Sequence, residues 1–231
     1  MKTQDQRKPL DKLTARAGYR KRYKVSKYRY ILDAGHGGVN PATGNYVTKG
    51  KRSPIWEDGT QYFEGVGNRD IVQRISIGLD NLGIDYGYTL EPTNWRDQGL
   101  GYRCELANKQ HDVKPSILFS IHSNGASSKS AHGYEVFTSP GETASDKFAT
   151  VLFEEYGKEF PTLRARKDYS DGDPDKEDHF YILKHTRCPA ILLESMFHTN
   201  EGECKDLMNP LVRQRIADAV IKTIVRIENE A

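Results

Sequence analysis

Ser116-Ile-Leu-Phe-Ser-Ile121 is a nearly continuous apolar run. A strand of that kind has no face to give to water and belongs inside a sheet covered on both sides. It stands among strand-like segments that alternate with helix-like ones. Further strands are expected at about 28–33, 86–90, 133–137, 180–184 and 190–193, and helices at about 64–82, 102–109, 143–159 and 210–228. In the 64–82 segment, Ile71, Val72, Ile75, Leu79 and Leu82 fall on one stripe, and the closing helix does the same with Val212, Ile216, Val220, Ile224 and Ile227. The alternation predicts an α/β fold, one sheet with helices on both faces. Residues 39–62 break it, with Pro41, Gly44, Gly50, Pro54 and Gly59 and no periodicity. Loops of this length in a compact domain usually serve function.

Charge divides the chain. Residues 1–30 hold eleven Lys or Arg against two Asp, so the remainder is acidic although the formal net charge is +2. The step places a boundary near residue 27: a basic arm over 1–27, then a domain over 28–231. Tyrosines interleaved with cations at 17–24 suit an anionic polymer or nucleic acid, and equally a solvated tail. Three cysteines, Cys104, Cys188 and Cys204, form no Cys-x-x-Cys pair. They argue against a disulfide scaffold or a cysteine zinc module, and for a reducing compartment. No run of about eighteen apolar residues exists, so no membrane-spanning helix is expected. The first thirty residues lack an apolar core, so a cleaved secretory signal is not expected either.

Four residues carry the chemistry. His36 follows the first strand, His122 follows the 116–121 strand, Glu64 opens a helix and Glu194 ends the strand at 190–193. Ligands of open α/β sheets bind beyond the carboxyl ends of the strands, where these side chains can converge. Two His and one Glu would hold Zn²⁺ and leave a position open, and a separate carboxylate would handle the proton. Each residue also has an ordinary explanation. A histidine after a strand is commonly just polar, and a glutamate at a helix start is favoured by the helix dipole. Glu194 has the weakest ordinary explanation, because an unpaired carboxylate is expensive to bury. The other five histidines, His111, His132, His179, His185 and His198, are read as ordinary. Spacing alone leaves both readings open.

Five blocks in order narrow the choice: Asp33-Ala-Gly-His36-Gly-Gly38; the Glu64 helix start; Arg103 with Ala107-Asn108; Ser120-Ile-His122-Ser-Asn124; and Leu193-Glu194-Ser-x-Phe197-x-x-Asn200. Together they resemble the zinc-dependent N-acetylmuramoyl-L-alanine amidases of the type 3 family, over about 29–227. The resemblance implies a single twisted, mostly parallel mixed sheet, with Zn²⁺ held by His36, Glu64 and His122. It implies Glu194 as general base and acid, and Arg103 as a supporting residue. The substrate implied is peptidoglycan, cut between N-acetylmuramic acid and the L-alanine of the stem peptide.

The sequence departs from the family pattern at 39–62 and at the charged stretch 164–178, both of which are expected to border the substrate groove. Trp56 in the first stretch either stacks on a sugar or anchors its loop. With no leader expected, the chain reads as a phage endolysin made in the host cytoplasm, acting on the wall after release, and a monomer. Two alternatives are weighed: a zinc peptidase cutting within the stem or cross-bridge, and a basic nucleic-acid-binding protein with a structural metal. The second lacks an obvious fourth protein ligand.

Overall fold

The apolar run forms the first two thirds of a long central strand in the computed structural model, which describes Tyr23 and residues 25–230. The greater part of the basic arm, residues 1–22 and Lys24, lies outside the described residues. Six strands make one sheet: β1 (Arg29–Ala34), β2 (Tyr86–Tyr88), β3 (Ser116–Asn124), β4 (Glu135–Thr138), β5 (Lys176–Glu177) and β6 (Ala190–Phe197), in the order β2-β1-β3-β6-β4-β5. The pairs β1–β2, β1–β3 and β3–β6 are parallel, β4 runs antiparallel to β6, and β5 is parallel to β4. The sheet is therefore mixed and mostly parallel, as expected. Among the described residues six helices surround it: α1 (Glu64–Leu82), α2 (Leu100–Val113), α3 (Asp146–Glu159), α4 (Tyr181–Lys184), α5 (Glu201–Met208) and α6 (Pro210–Glu230).

Successive strand side chains alternate between faces, and here both faces are covered. Tyr30, Leu32, Ile117, Phe119 and Ile121 pack with the apolar stripes of α1, α3 and α6. Ile31, Leu118 and Leu192 join Cys104, Ala107, Ile182 and Leu183 from α2 and α4 on the other side. Each buried Leu, Ile or Phe among them contributes roughly 1.5–3 kcal/mol. The α1 stripe Ile71, Val72, Ile75, Leu79 and Leu82 is buried throughout. That helix ends on Gly83, whose left-handed φ of 70° closes the last turn.

Three elements differ from expectation. Residues 181–184, expected in a strand, form one helical turn. Ile182 and Leu183 are adjacent and both bury against α2, which an alternating strand does not permit. The strand of that region is instead Lys176–Glu177, two residues and too short to read from sequence. The helix Glu201–Met208 was not anticipated. Asn200 caps it by accepting the Glu203 N–H at 3.1 Å.

The chain enters the sheet along the end of α6. Glu228, a buried carboxylate, accepts from Ser26 Oγ at 2.9 Å, from the Lys27 N–H at 3.0 Å and from Tyr30 Oη at 2.9 Å. Tyr23 N–H donates to the Leu82 carbonyl at 2.7 Å.

Candidate metal centre and its surroundings

β1 delivers the chain to the site, and the backbone then turns sharply. His36 has φ 66°, the one positive φ outside glycine among the described residues. A left-handed conformation is costly for a residue with a Cβ and needs surrounding contacts to hold it. Arg103 supplies them. Its guanidinium is 2% exposed, and it donates to the Ala34 carbonyl at 2.7 Å, the His36 carbonyl at 3.0 Å, the Gln98 carbonyl at 3.0 Å and Asp33 Oδ1 at 2.8 Å. Asp33 is equally buried and also accepts from Ser120 Oγ at 2.7 Å and from Thr89 Oγ1. Burial alone would raise the Asp33 pKa, but Arg103 and the hydroxyl donors outweigh it and hold the carboxyl below its usual value. Asp33 was only part of a motif in the sequence; the signal that marks it is a charge ending an apolar strand.

Glu64 opens α1 and is 1% exposed. Its Oε1 lies 3.1 Å from His122 Nδ1 and 3.2 Å from His36 Nε2. The two imidazoles meet edge to face with centroids 4.9 Å apart. Among the described residues, His36, Glu64 and His122 are the group of three ligand-type side chains close enough to share an ion. Two glycines permit the approach. A Cβ on Gly35 would lie 2.2 Å from His122 Cε1, and one on Gly65 would lie 1.9 Å from the Gly37 carbonyl oxygen.

Glu194 stands opposite His122 in the β3–β6 ladder. Its Oε2 is buried without a hydrogen-bond partner, as are Glu64 Oε2 and His36 Nε2. Buried polar atoms left without partners call for an explanation, and a bound group supplies one here. Two imidazole nitrogens and a carboxylate oxygen suit Zn²⁺, so the residues present fit the ion that the resemblance implies. Burial pushes the Glu194 carboxyl up to about 8; His122 opposes the rise and Glu64 adds to it. For Glu64, the adjoining imidazoles of His122 and His36 overcome burial and hold the carboxyl well below its ordinary range.

The 39–62 loop is tied to this centre. Thr48 Oγ1 accepts the Gly37 N–H at 2.8 Å and donates to Asp97 at 2.6 Å, and Tyr46 Oη accepts the Gly65 N–H at 3.0 Å. Trp56 is buried, with its indole N–H on Cys204 Sγ at 3.2 Å. Of its two readings, it anchors the loop. The 164–178 stretch reaches the strand next to Glu194: Arg166 and Lys176 each lie 2.7 Å from Glu135 Oε1, and Glu135 pairs with Glu194 in the β4–β6 ladder. Glu135 was missed in the sequence, although it too is a charge inside a strand. His198 is buried against Ser123, His111 accepts the Ser116 N–H and His185 stacks on Tyr181. Asn108 fastens the turn at His185–Arg187.

The sequence matches the family described as N-acetylmuramoyl-L-alanine amidase over residues 31–226. The chain belongs to that family. An uncharacterized cell wall amidase of Bacillus anthracis is 28% identical over 200 residues, covering 84% of this chain and 34% of the relative. The N-acetylmuramoyl-L-alanine amidase LytC of Bacillus subtilis is 26% identical over 163 residues, 70% of this chain and 30% of its own length. The chain thus spans about a third of these relatives. The crystal structure of an N-acetylmuramoyl-L-alanine amidase from Clostridium difficile 630 superposes with TM-score 0.72 at 22% identity, over 89% of this chain and 99% of the other. The amidase fold therefore extends over nearly all of the described residues. No helix among them is long and apolar enough to cross a membrane.

Proposed function

We propose that this member of the amidase family hydrolyses the amide between the lactyl group of N-acetylmuramic acid and the L-alanine of the peptidoglycan stem, using Zn²⁺. The observation that carries the reading is the His36–Glu64–His122 group with Glu194 opposite His122 on the next strand. His36, Glu64 and His122 would hold the ion, leaving a position open. Bound zinc would bring the pKa of a water towards about 7 and polarise the scissile carbonyl.

Glu194 carries the proton. Its carboxylate takes a proton from the attacking water at Oε2 and returns it to the L-alanine nitrogen as the C–N bond breaks. A carboxyl group opposite a candidate zinc ligand on the next strand is placed for both transfers. Arg103 and Asp33 act below the site by fixing the strained His36 turn. The basic arm 1–27 is proposed to hold the anionic wall, on the strength of its charge. Sedimentation with purified sacculi, with and without residues 1–22, at low and high salt, tests that part.

Mass spectrometry of digested peptidoglycan tests the reaction. Stem peptides released with a free L-alanine amine, and glycan strands without peptide, are expected. Fragments cut inside the stem would make the protein a peptidase and overturn the proposal.

A further inference from the structure

Residues 168–178 read Asp-Tyr-Ser-Asp-Gly-Asp-Pro-Asp-Lys-Glu-Asp. The nearby cations are committed elsewhere. Arg166 and Lys176 both grip Glu135, and Lys167 sits over the Tyr169 ring at 4.7 Å. Among the described residues no ion pair reaches Asp168, Asp171, Asp173 or Asp175.

One of these carboxylates is buried. Asp175 is 1% exposed; its Oδ2 accepts from Thr138 Oγ1 at 2.7 Å, while Oδ1 has no partner. Asp173 lies beside it and accepts the Asp175 N–H at 3.2 Å. Burial, then the neighbouring Asp173 carboxyl, push the Asp175 group up to about 8, and Asp146 at the start of α3 adds further negative charge. The backbone closes the same turn: Asp168 N–H donates to the Pro174 carbonyl at 3.4 Å.

A buried carboxylate with a second carboxylate against it and no counter-charge is unfavourable. A shared proton or a bound cation relieves it. The Asp171-Gly-Asp173-Pro-Asp175 spacing alternates carboxylates and presents only oxygen ligands, the donor type of hard divalent cations and not that of zinc. We propose that Asp173 and Asp175, with further oxygens of the 168–175 turn, bind a divalent cation of the Ca²⁺ class, at a site separate from the His36–Glu64–His122 group. Bound there, the cation fastens the turn to β4 through Asp175 and Thr138. The next residue, Lys176, is one of the two that hold Glu135 beside Glu194. The site therefore steadies the segment that holds Glu135 beside Glu194, without touching the reacting atoms.

Calorimetric titration and thermal unfolding of the full chain, kept in zinc and dialysed free of calcium, test the proposal with CaCl2 as the probe and MgCl2 beside it. Saturable calcium binding and a rise in Tm of about 5 °C in millimolar calcium are expected. Asp173→Asn, at a half-buried position, should fold and lose the rise. Asp175→Asn should lose it too. No heat and no shift in the unmutated chain, with stability rising as pH falls from about 8, would mean a shared proton and overturn the site. A rise that survives Asp173→Asn would place calcium elsewhere and overturn it equally.

Discussion

His122 and Glu194 are register partners on the neighbouring parallel strands β3 and β6. Register partners project from the same face, and the strands lie about 4.8 Å apart. The backbone ladder of the sheet thus sets the spacing between a candidate metal ligand and the candidate base. His36 and Glu64 reach the same point by other means, a strained turn and a helix start.

Removing either imidazole removes part of the cradle. His36→Ala and His122→Ala should each lose bound zinc and lose hydrolysis with it, while the far-ultraviolet circular dichroism stays native. Metal analysis of the purified variants checks this. A variant that keeps one zinc per chain would show that its histidine is not a ligand.

The two glycines give different expected failures. The atoms that a Gly35 Cβ would meet belong to the His122 ring, so Gly35→Ala should fold and bind zinc weakly. At Gly65 the obstacle is the Gly37 backbone, which has less room to give. Gly65→Ala should therefore cost about 1–3 kcal/mol of stability as well. Denaturant titration together with zinc affinity separates the two.

The Asp33–Arg103 pair makes stability depend on acid. The folded pKa of Asp33 lies below its ordinary 3.8. Its contribution is therefore complete above that value and is lost as pH falls through the lower, folded one. Asp33→Asn leaves Arg103 buried without its partner and should cost about 3–5 kcal/mol at neutral pH, and part of the loss of stability below about pH 4 should disappear. Arg103→Lys, which cannot reach the three carbonyls and Asp33 together, should weaken zinc binding about tenfold by releasing the His36 turn. Unfolding curves across pH, and zinc titrations, check both.

Trp56 separates anchoring from sugar stacking. Trp56→Ala should destabilise by about 3–5 kcal/mol, as deletion of a buried aromatic does. Trp56→Phe should keep most of the hydrolytic rate, because a buried indole offers no face to a glycan. A large rise in KM for Trp56→Phe with unchanged stability would contradict the anchoring role.

The sheet was readable where burial writes a simple pattern: the run at 116–121, the stripe from Ile71 to Leu82, the apolar 190–193. His36, Glu64, His122 and Glu194 could be singled out for the same reason, since polar groups that follow an apolar run or open a helix stand out, although β3 and β6 continue past His122 and Glu194. What escaped depends on contacts distant in sequence. The left-handed turn at His36 is held by Arg103, sixty-seven residues away. Glu135 gains its place only when Arg166 and Lys176 fold over it. The two-residue strand Lys176–Glu177 has no periodicity to read, and the apolar 180–184 suits a strand until both Ile182 and Leu183 are seen to face α2.

Glu194→Gln isolates the proton-carrying role of this carboxylate, with zinc content and rate of stem-peptide release measured on one preparation. The amide keeps the size of the side chain and cannot take the proton. The account predicts one zinc per chain retained and a rate lower by about a hundredfold or more. A Glu194→Gln protein that holds its zinc and releases stem peptides at close to the original rate would contradict it.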